Sequence, residues 1–373
     1  MTRELTARTP VPLAAGIGPG RPARTRTDGT PPADRLDADE ARIARRPAPL
    51  GPGRGSPRIR GAFTALVTPF TPDGAMDEPG LRRFVAWQIL AGIDGLVPCG
   101  TTGESPTLSE AERERVIAAT VELAAERPSR GPITVLAGTG NYDTAATIRA
   151  TRRAAELGAD AALIVTPYYN RPDQRMLEAH YRAVADEGGL PIVVYNVPSR
   201  TGTNVEAATT LRLAEHERVV GVKEASGNLD QIATIIRDRP QGFAVMAGDD
   251  TWTLAVLAMG GDGVISVASN EIPGEMVALC AAARAGDWEG ARRAHARWLP
   301  LFRANFQGGP NPVPVKAALG LMGLVGDRLR QPLLSLEPAA RERLASLLRD
   351  EGLLADGPTT AVVARGDTTA VPA

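Results

Sequence analysis

The sequence predicts an α/β protein: a (β/α)8 TIM barrel with a C-terminal helical extension. Short apolar runs rich in Val, Ile and Ala alternate with longer amphipathic stretches, the pattern of parallel strands joined by helices. Eight such runs occur, the number that closes a barrel. The chemically unusual residues gather at the C-terminal ends of these runs, where barrels of this kind carry their sites.

The chain has 373 residues, of which 43% are hydrophobic and 23% charged, the profile of a globular enzyme. A net charge of −1 gives no electrostatic case for nucleic acid as a partner. No apolar run reaches membrane-spanning length, so no membrane association is expected. Two cysteines, Cys99 and Cys280, argue against a disulfide framework and fit a cytoplasmic location. His180, His216 and His295 stand alone without metal-ligand spacing, so no metal is expected.

Residues 1–58 read as a disordered Arg/Pro-rich extension. With the next two residues they hold ten prolines and twelve arginines. They contain no apolar core for a secretory signal, and Asp34, Asp37, Asp39 and Glu40 argue against a transit peptide. A catalytic barrel is expected over 59–285, with strands at 62–68, 95–99, 133–137, 161–166, 192–195, 219–223, 244–247 and 263–267. Helices fill the intervals, among them 109–126, where Ser109 followed by Glu112 forms a capping box, and 144–157. The alternative, an open doubly wound sheet, is disfavoured because the turn at 68–72 (Thr-Pro-Phe-Thr-Pro) has no glycine-rich phosphate loop. A helical subdomain is expected over 286–355 and a disordered tail over 356–373.

Lysine plus arginine total 42, yet only Lys223 and Lys316 are lysines. Where any cation suffices, this chain uses arginine. Arginine cannot lose its proton in a protein and so cannot form an imine, whereas a desolvated lysine can. Lys223 follows the apolar run Val219-Val220-Gly221-Val222, surroundings that favour the neutral amine. Pairing with Glu224 is poorly placed, since successive residues of a strand point to opposite faces. Gly100-Thr101-Thr102-Gly103 offers backbone N–H groups and two hydroxyls to a carboxylate. Tyr195 ends the neighbouring strand, within reach of Lys223 as a proton donor and acceptor. Arg200, after a proline turn, suits a second carboxylate.

Gly-Thr-Thr-Gly-Glu-Ser (100–105), Thr-Pro-Tyr-Tyr-Asn-Arg-Pro (166–172), Tyr-Asn-Val-Pro-Ser-Arg-Thr-Gly (195–202), Gly-Val-Lys-Glu-Ala-Ser-Gly-Asn (221–228) and Asn-Pro-Val-Pro-Val-Lys (311–316) together resemble the dihydrodipicolinate synthase family, within the N-acetylneuraminate lyase and class I pyruvate aldolase superfamily. The match runs from about residue 61 to 354. The resemblance implies a lyase that condenses pyruvate with L-aspartate 4-semialdehyde to 4-hydroxy-tetrahydrodipicolinate, in lysine and diaminopimelate biosynthesis. Lys223 matches the imine-forming lysine and Tyr195 the proton-shuttling tyrosine. Thr102 matches the threonine that links Tyr195 to a second tyrosine. Tyr169 matches that tyrosine, which in the family reaches into a neighbouring subunit's site. Thr101 and Thr102 match the pair holding the pyruvate carboxylate. Arg200 matches the arginine that binds the semialdehyde's carboxylate, and Gly248 and Ile265 match pocket-lining positions. The family's usual form is a cytoplasmic homotetramer, a dimer of dimers, and it needs no cofactor because the imine is the electron sink. A tyrosine alone, with a pKa of about 10, is a poor base near neutral pH, which is why a Tyr–Thr–Tyr chain serves.

Glu110, Arg113, Tyr142 and Ala146 depart from the residues that lysine-inhibited bacterial members carry, while Tyr168 is retained. Weak or absent feedback by lysine is therefore expected. Cys99 reads as strand packing. Other pyruvate-imine enzymes, of the N-acetylneuraminate, 2-keto-3-deoxygluconate or 5-dehydro-4-deoxyglucarate type, share the barrel and the lysine. Arg200 and the Tyr168-Tyr169 pair favour the synthase. A non-catalytic barrel is disfavoured because every expected catalytic residue is present.

Overall fold

The computed structural model describes residues 57–126 and 132–354. The expected tail over 356–373 lies outside them, as does the expected extension over 1–58 apart from Pro57 and Arg58.

Strands β1 (Gly61–Ala65), β2 (Gly95–Val97), β3 (Thr134–Gly138), β4 (Ala161–Val165), β5 (Ile192–Asn196), β6 (Val219–Glu224), β7 (Ala244–Ala247) and β8 (Gly263–Ser266) are parallel and close into a barrel in sequence order. β1 pairs with both β2 and β8, which rules out the open sheet. Helices α1 (Glu78–Leu90), α2 (Glu110–Ala125), α3 (Thr144–Glu156) and α4 (Gln174–Glu187) follow β1 to β4. The short α5 (Pro198–Thr201) and then α6 (Ala207–Ala214) follow β5, and α7 (Leu229–Asp238), α8 (Thr253–Ala258) and α9 (Pro273–Arg284) follow β6 to β8. Three more helices, α10 (Trp288–Ala304), α11 (Val313–Leu321) and α12 (Pro338–Asp350), come after the barrel.

Strand alternation divides the core in two. Phe63, Leu136, Leu163, Val193, Met246 and Ile265 fill the barrel, and Tyr195 belongs to this inner cluster. The opposite face of each strand turns to the helices: Val194, Val222 and Val245 belong to one buried cluster with Ile232 and Ile235 of α7. Each such side chain stabilises the fold by about 1.5–3 kcal/mol through removal from water.

The strand ends differ from the sequence reading in an instructive way. β2 was expected to reach Cys99 but stops at Val97, because Cys99 takes φ 57° and turns the chain out of the sheet. β1 was expected to reach Thr68 but stops at Ala65, after which the Val67 N–H is taken by Asn270 Oδ1 at 3.1 Å. The capping box forms as expected. Ser109 Oγ accepts from Glu112 N–H and Glu112 returns the bond to Ser109 N–H, a cap typically worth about 1 kcal/mol. Among the described residues no helix is long and apolar enough to cross a membrane.

Candidate active site

Lys223 and Tyr195 stand directly opposite each other in the β5–β6 register. Val222 packs outward on the helices, so Lys223 turns into the barrel, as Tyr195 does on the neighbouring strand. The lysine is 5% exposed, and its Nζ lies 4.3 Å from the centroid of the Tyr195 ring. Among the described residues no hydrogen bond or ion pair ties up that amine. Gly248, at the end of β7, leaves the space it needs: a Cβ there would lie 3.1 Å from Lys223 Cγ and 2.6 Å from Ala225 Cβ. Ile265 on β8 is fully buried in the same interior.

Glu224 points away from Lys223, as strand alternation requires. Its buried carboxylate accepts from Gln231 Nε2 at 2.9 Å, Ser226 N–H at 2.9 Å and Asn196 Nδ2 at 3.1 Å. Burial raises its pKa against those donors. Asn196 directly follows Tyr195 and Glu224 directly follows Lys223, so this outer network fastens the two strands where the inner pair needs fixed spacing. Thr166 holds Tyr195 from the other side, donating through Oγ1 to the Tyr195 carbonyl at 2.9 Å.

The loop after β2 packs straight onto β3. A Cβ on Gly138 would sit 2.3 Å from the Cys99 carbonyl oxygen. Within the loop, Gly103 N–H and Glu104 N–H turn back onto the carbonyls of Gly100 and Thr101. The N–H groups of Thr101 and Thr102 form no hydrogen bond among the described residues. Thr102 is buried, and its Oγ1 accepts from Asn311 Nδ2 at 3.0 Å.

The structure does not bring every candidate together within one chain. Tyr169 is 90% exposed at φ 73°, a left-handed conformation unusual for tyrosine, and Thr102 bonds to neither tyrosine. Tyr168, next to it, packs edge-on against Tyr142 at 5.2 Å. Arg200 is exposed on α5, and no carboxylate pairs with it among the described residues. Cys99 and Cys280 are free and buried, and burial pushes both thiols up to about 12, which suits packing and not reactivity.

A second buried lysine lies behind the same loop. Lys316 of α11 is fully buried, donates to Glu104 Oε1 at 2.6 Å and to the Thr68 carbonyl at 2.8 Å, and sits 4.2 Å from the Phe70 ring centroid. The other Glu104 oxygen accepts from Arg330 N–H at 3.0 Å. The Arg330 guanidinium covers Phe70 at 4.3 Å and reaches Glu112 at 2.5 and 2.9 Å. Phe70 is thus in contact with two cations.

The dihydrodipicolinate synthetase family model matches residues 58–351. The chain belongs to that family. Over 298 residues, 80% of this chain and 100% of the relative, it is 49% identical to 4-hydroxy-tetrahydrodipicolinate synthase of Nitratidesulfovibrio vulgaris. The crystal structure of the Acinetobacter baumannii dihydrodipicolinate synthase complexed with pyruvate is similar at a TM-score of 0.77 and 40% identity, over 80% of this chain and all of that one. The Thermotoga maritima dihydrodipicolinate synthase is similar at a TM-score of 0.76 and 43% identity, over 79% of this chain and 99% of that one.

In this dihydrodipicolinate synthetase family member, sequence reasoning missed the roles of Glu104, Asn311 and Arg330. Glu104 and Asn311 stood inside recognised motifs without any contact assigned. Their partners lie 209 to 226 residues away, which no local pattern encodes. The one usable signal was lysine scarcity: it singled out Lys316 together with Lys223.

Proposed function

We propose that this chain condenses pyruvate with L-aspartate 4-semialdehyde to 4-hydroxy-tetrahydrodipicolinate, with Lys223 as the imine-forming residue. The observation that carries the reading is a buried lysine with no ion pair among the described residues, facing Tyr195 inside the barrel mouth. The relatives named for this activity support the reading, matching 79–80% of this chain and 99–100% of their own length.

The chemistry follows from the geometry. The Lys223 amine adds to the pyruvate carbonyl and water leaves, giving an imine. Protonation of the imine nitrogen acidifies the methyl group, and loss of a proton gives an enamine. The enamine carbon attacks the aldehyde, forming the carbon–carbon bond while the aldehyde oxygen takes a proton. The semialdehyde's amine then adds to the imine carbon, and ring closure expels the lysine. The imine holds the electron pair, so the proposed cycle calls on no cofactor.

Tyr195 passes protons during imine formation and cyclisation. The N–H groups of Thr101 and Thr102 and the Thr102 hydroxyl hold the pyruvate carboxylate, with Gly248 and Ile265 shaping the pocket. Arg200 receives the second carboxylate. Tyr169, exposed in one subunit, completes the proton relay with Tyr195 in a homotetramer built as a dimer of dimers. The barrel over 59–285 carries these groups and the helices over 286–355 support them, and the enzyme acts in the cytoplasm.

Turnover of both substrates, coupled to dihydrodipicolinate reductase and followed by NADPH loss, tests the assignment. Turnover that disappears in Lys223→Ala is the expected result. Folded protein that turns over neither substrate but cleaves sugar acids would overturn it.

A further inference from the structure

Asn311 is not among the residues assigned to substrate above, yet among the described residues it makes the one side-chain bond on Thr102. It lies in the segment between α10 and α11, is 7% exposed, and its Oδ1 has no partner among the described residues. The amide is therefore oriented by the Nδ2 bond to Thr102 alone. That segment is not loosely attached. Five residues later Lys316 is locked to Glu104, in the same loop as Thr102.

A threonine hydroxyl has one proton and two acceptor positions. Asn311 Nδ2 fills one acceptor position, and an NH2 group cannot take the hydroxyl's proton. The Thr102 O–H must then be given to another acceptor. With the Thr102 N–H also free, both donors of that residue are available to one anion.

We propose that Asn311 is a positioning residue that fixes the Thr102 hydroxyl as a hydrogen-bond donor to the carboxylate of the 2-oxo acid substrate. This rests on the reading of Thr102 as a carboxylate-holding residue. The C-terminal segment thereby contributes to substrate affinity through hydroxyl direction, without touching substrate.

Steady-state kinetics of the full chain test this with Asn311→Asp, Asn311→Leu, Thr102→Val and Asn311→Asp/Thr102→Val. Aspartate accepts the Thr102 proton and withdraws the donor, so KM for pyruvate is expected to rise about tenfold or more while kcat changes by less than about threefold. Leucine fits the same space and leaves the hydroxyl free to turn, so its rise is smaller and it guards against a poorly folding aspartate variant. In the Thr102→Val background, Asn311→Asp adds little, whereas simple charge repulsion would add its full effect. An unchanged KM in both Asn311 variants, beside a raised KM in Thr102→Val, overturns the inference alone. So do additive effects, or a loss of kcat with KM unchanged. An unchanged KM in Thr102→Val overturns the carboxylate role of Thr102 and the inference with it.

Discussion

The two lysines of this chain share much. Both are buried, and each lies just over 4 Å from the centroid of an aromatic ring. They differ in what meets the ammonium. Lys316 has a carboxylate at 2.6 Å and a carbonyl at 2.8 Å, whereas Lys223 has no ionic partner among the described residues. A buried cation that is fully paired holds structure together. One that no carboxylate or carbonyl holds is left available to attack a carbonyl. Burial alone thus does not mark a nucleophile; burial without a counter-charge does.

The difference is sharpest in stability. Lys316→Met leaves Glu104 buried without its cation, and Glu104→Gln leaves Lys316 without its anion. Each is expected to cost about 3–5 kcal/mol in denaturant unfolding, and the double variant less than the sum of the two. Lys223→Met, by contrast, is expected to leave the unfolding midpoint nearly unchanged or raise it. Equal destabilisation at both lysines would erase the distinction. Next in size, Tyr195→Phe keeps the ring against Lys223 but removes the hydroxyl. It is expected to lower kcat by roughly 10²-fold or more with little change in melting temperature. Arg200→Ala is smaller and confined to one substrate. KM for L-aspartate 4-semialdehyde should rise about tenfold while KM for pyruvate holds. A matching rise for pyruvate would move Arg200 to the other carboxylate.

The smallest effect is in pH. The Arg330 guanidinium holds the Glu112 carboxyl down at about 2, from an ordinary 4.5. Its contribution is therefore present above about pH 4.5 and lost as pH falls toward 2. Unfolding midpoints measured across that window should fall more steeply in the wild type than in Glu112→Gln. Parallel curves would show that the clamp around Phe70 draws nothing from this charge.

What the sequence disclosed follows the range of the interactions. Strand and helix periodicity is local, so all eight strands were legible, and β7 to the residue. Lys223 and Tyr195 were legible because each ends a strand and adjacent strands in a barrel are neighbours in space. Glu224 was legible as facing away from Lys223, but its tie to Asn196 and Gln231 was not. The clamp of Glu104, Lys316 and Arg330 was hidden, because it joins the second loop of the barrel to α11 and the segment after it, more than 200 residues on. Its members are single polar residues in apolar or loop context, with no period to betray them.

The proposed chemistry puts substrate on Lys223 and not on Lys316. Reduction with sodium borohydride in the presence of pyruvate, followed by digestion and mass spectrometry, reads this directly. The reduced adduct is expected on the peptide carrying Lys223, with Lys316 unmodified. An adduct on Lys316, or none on Lys223 in folded protein, would contradict it.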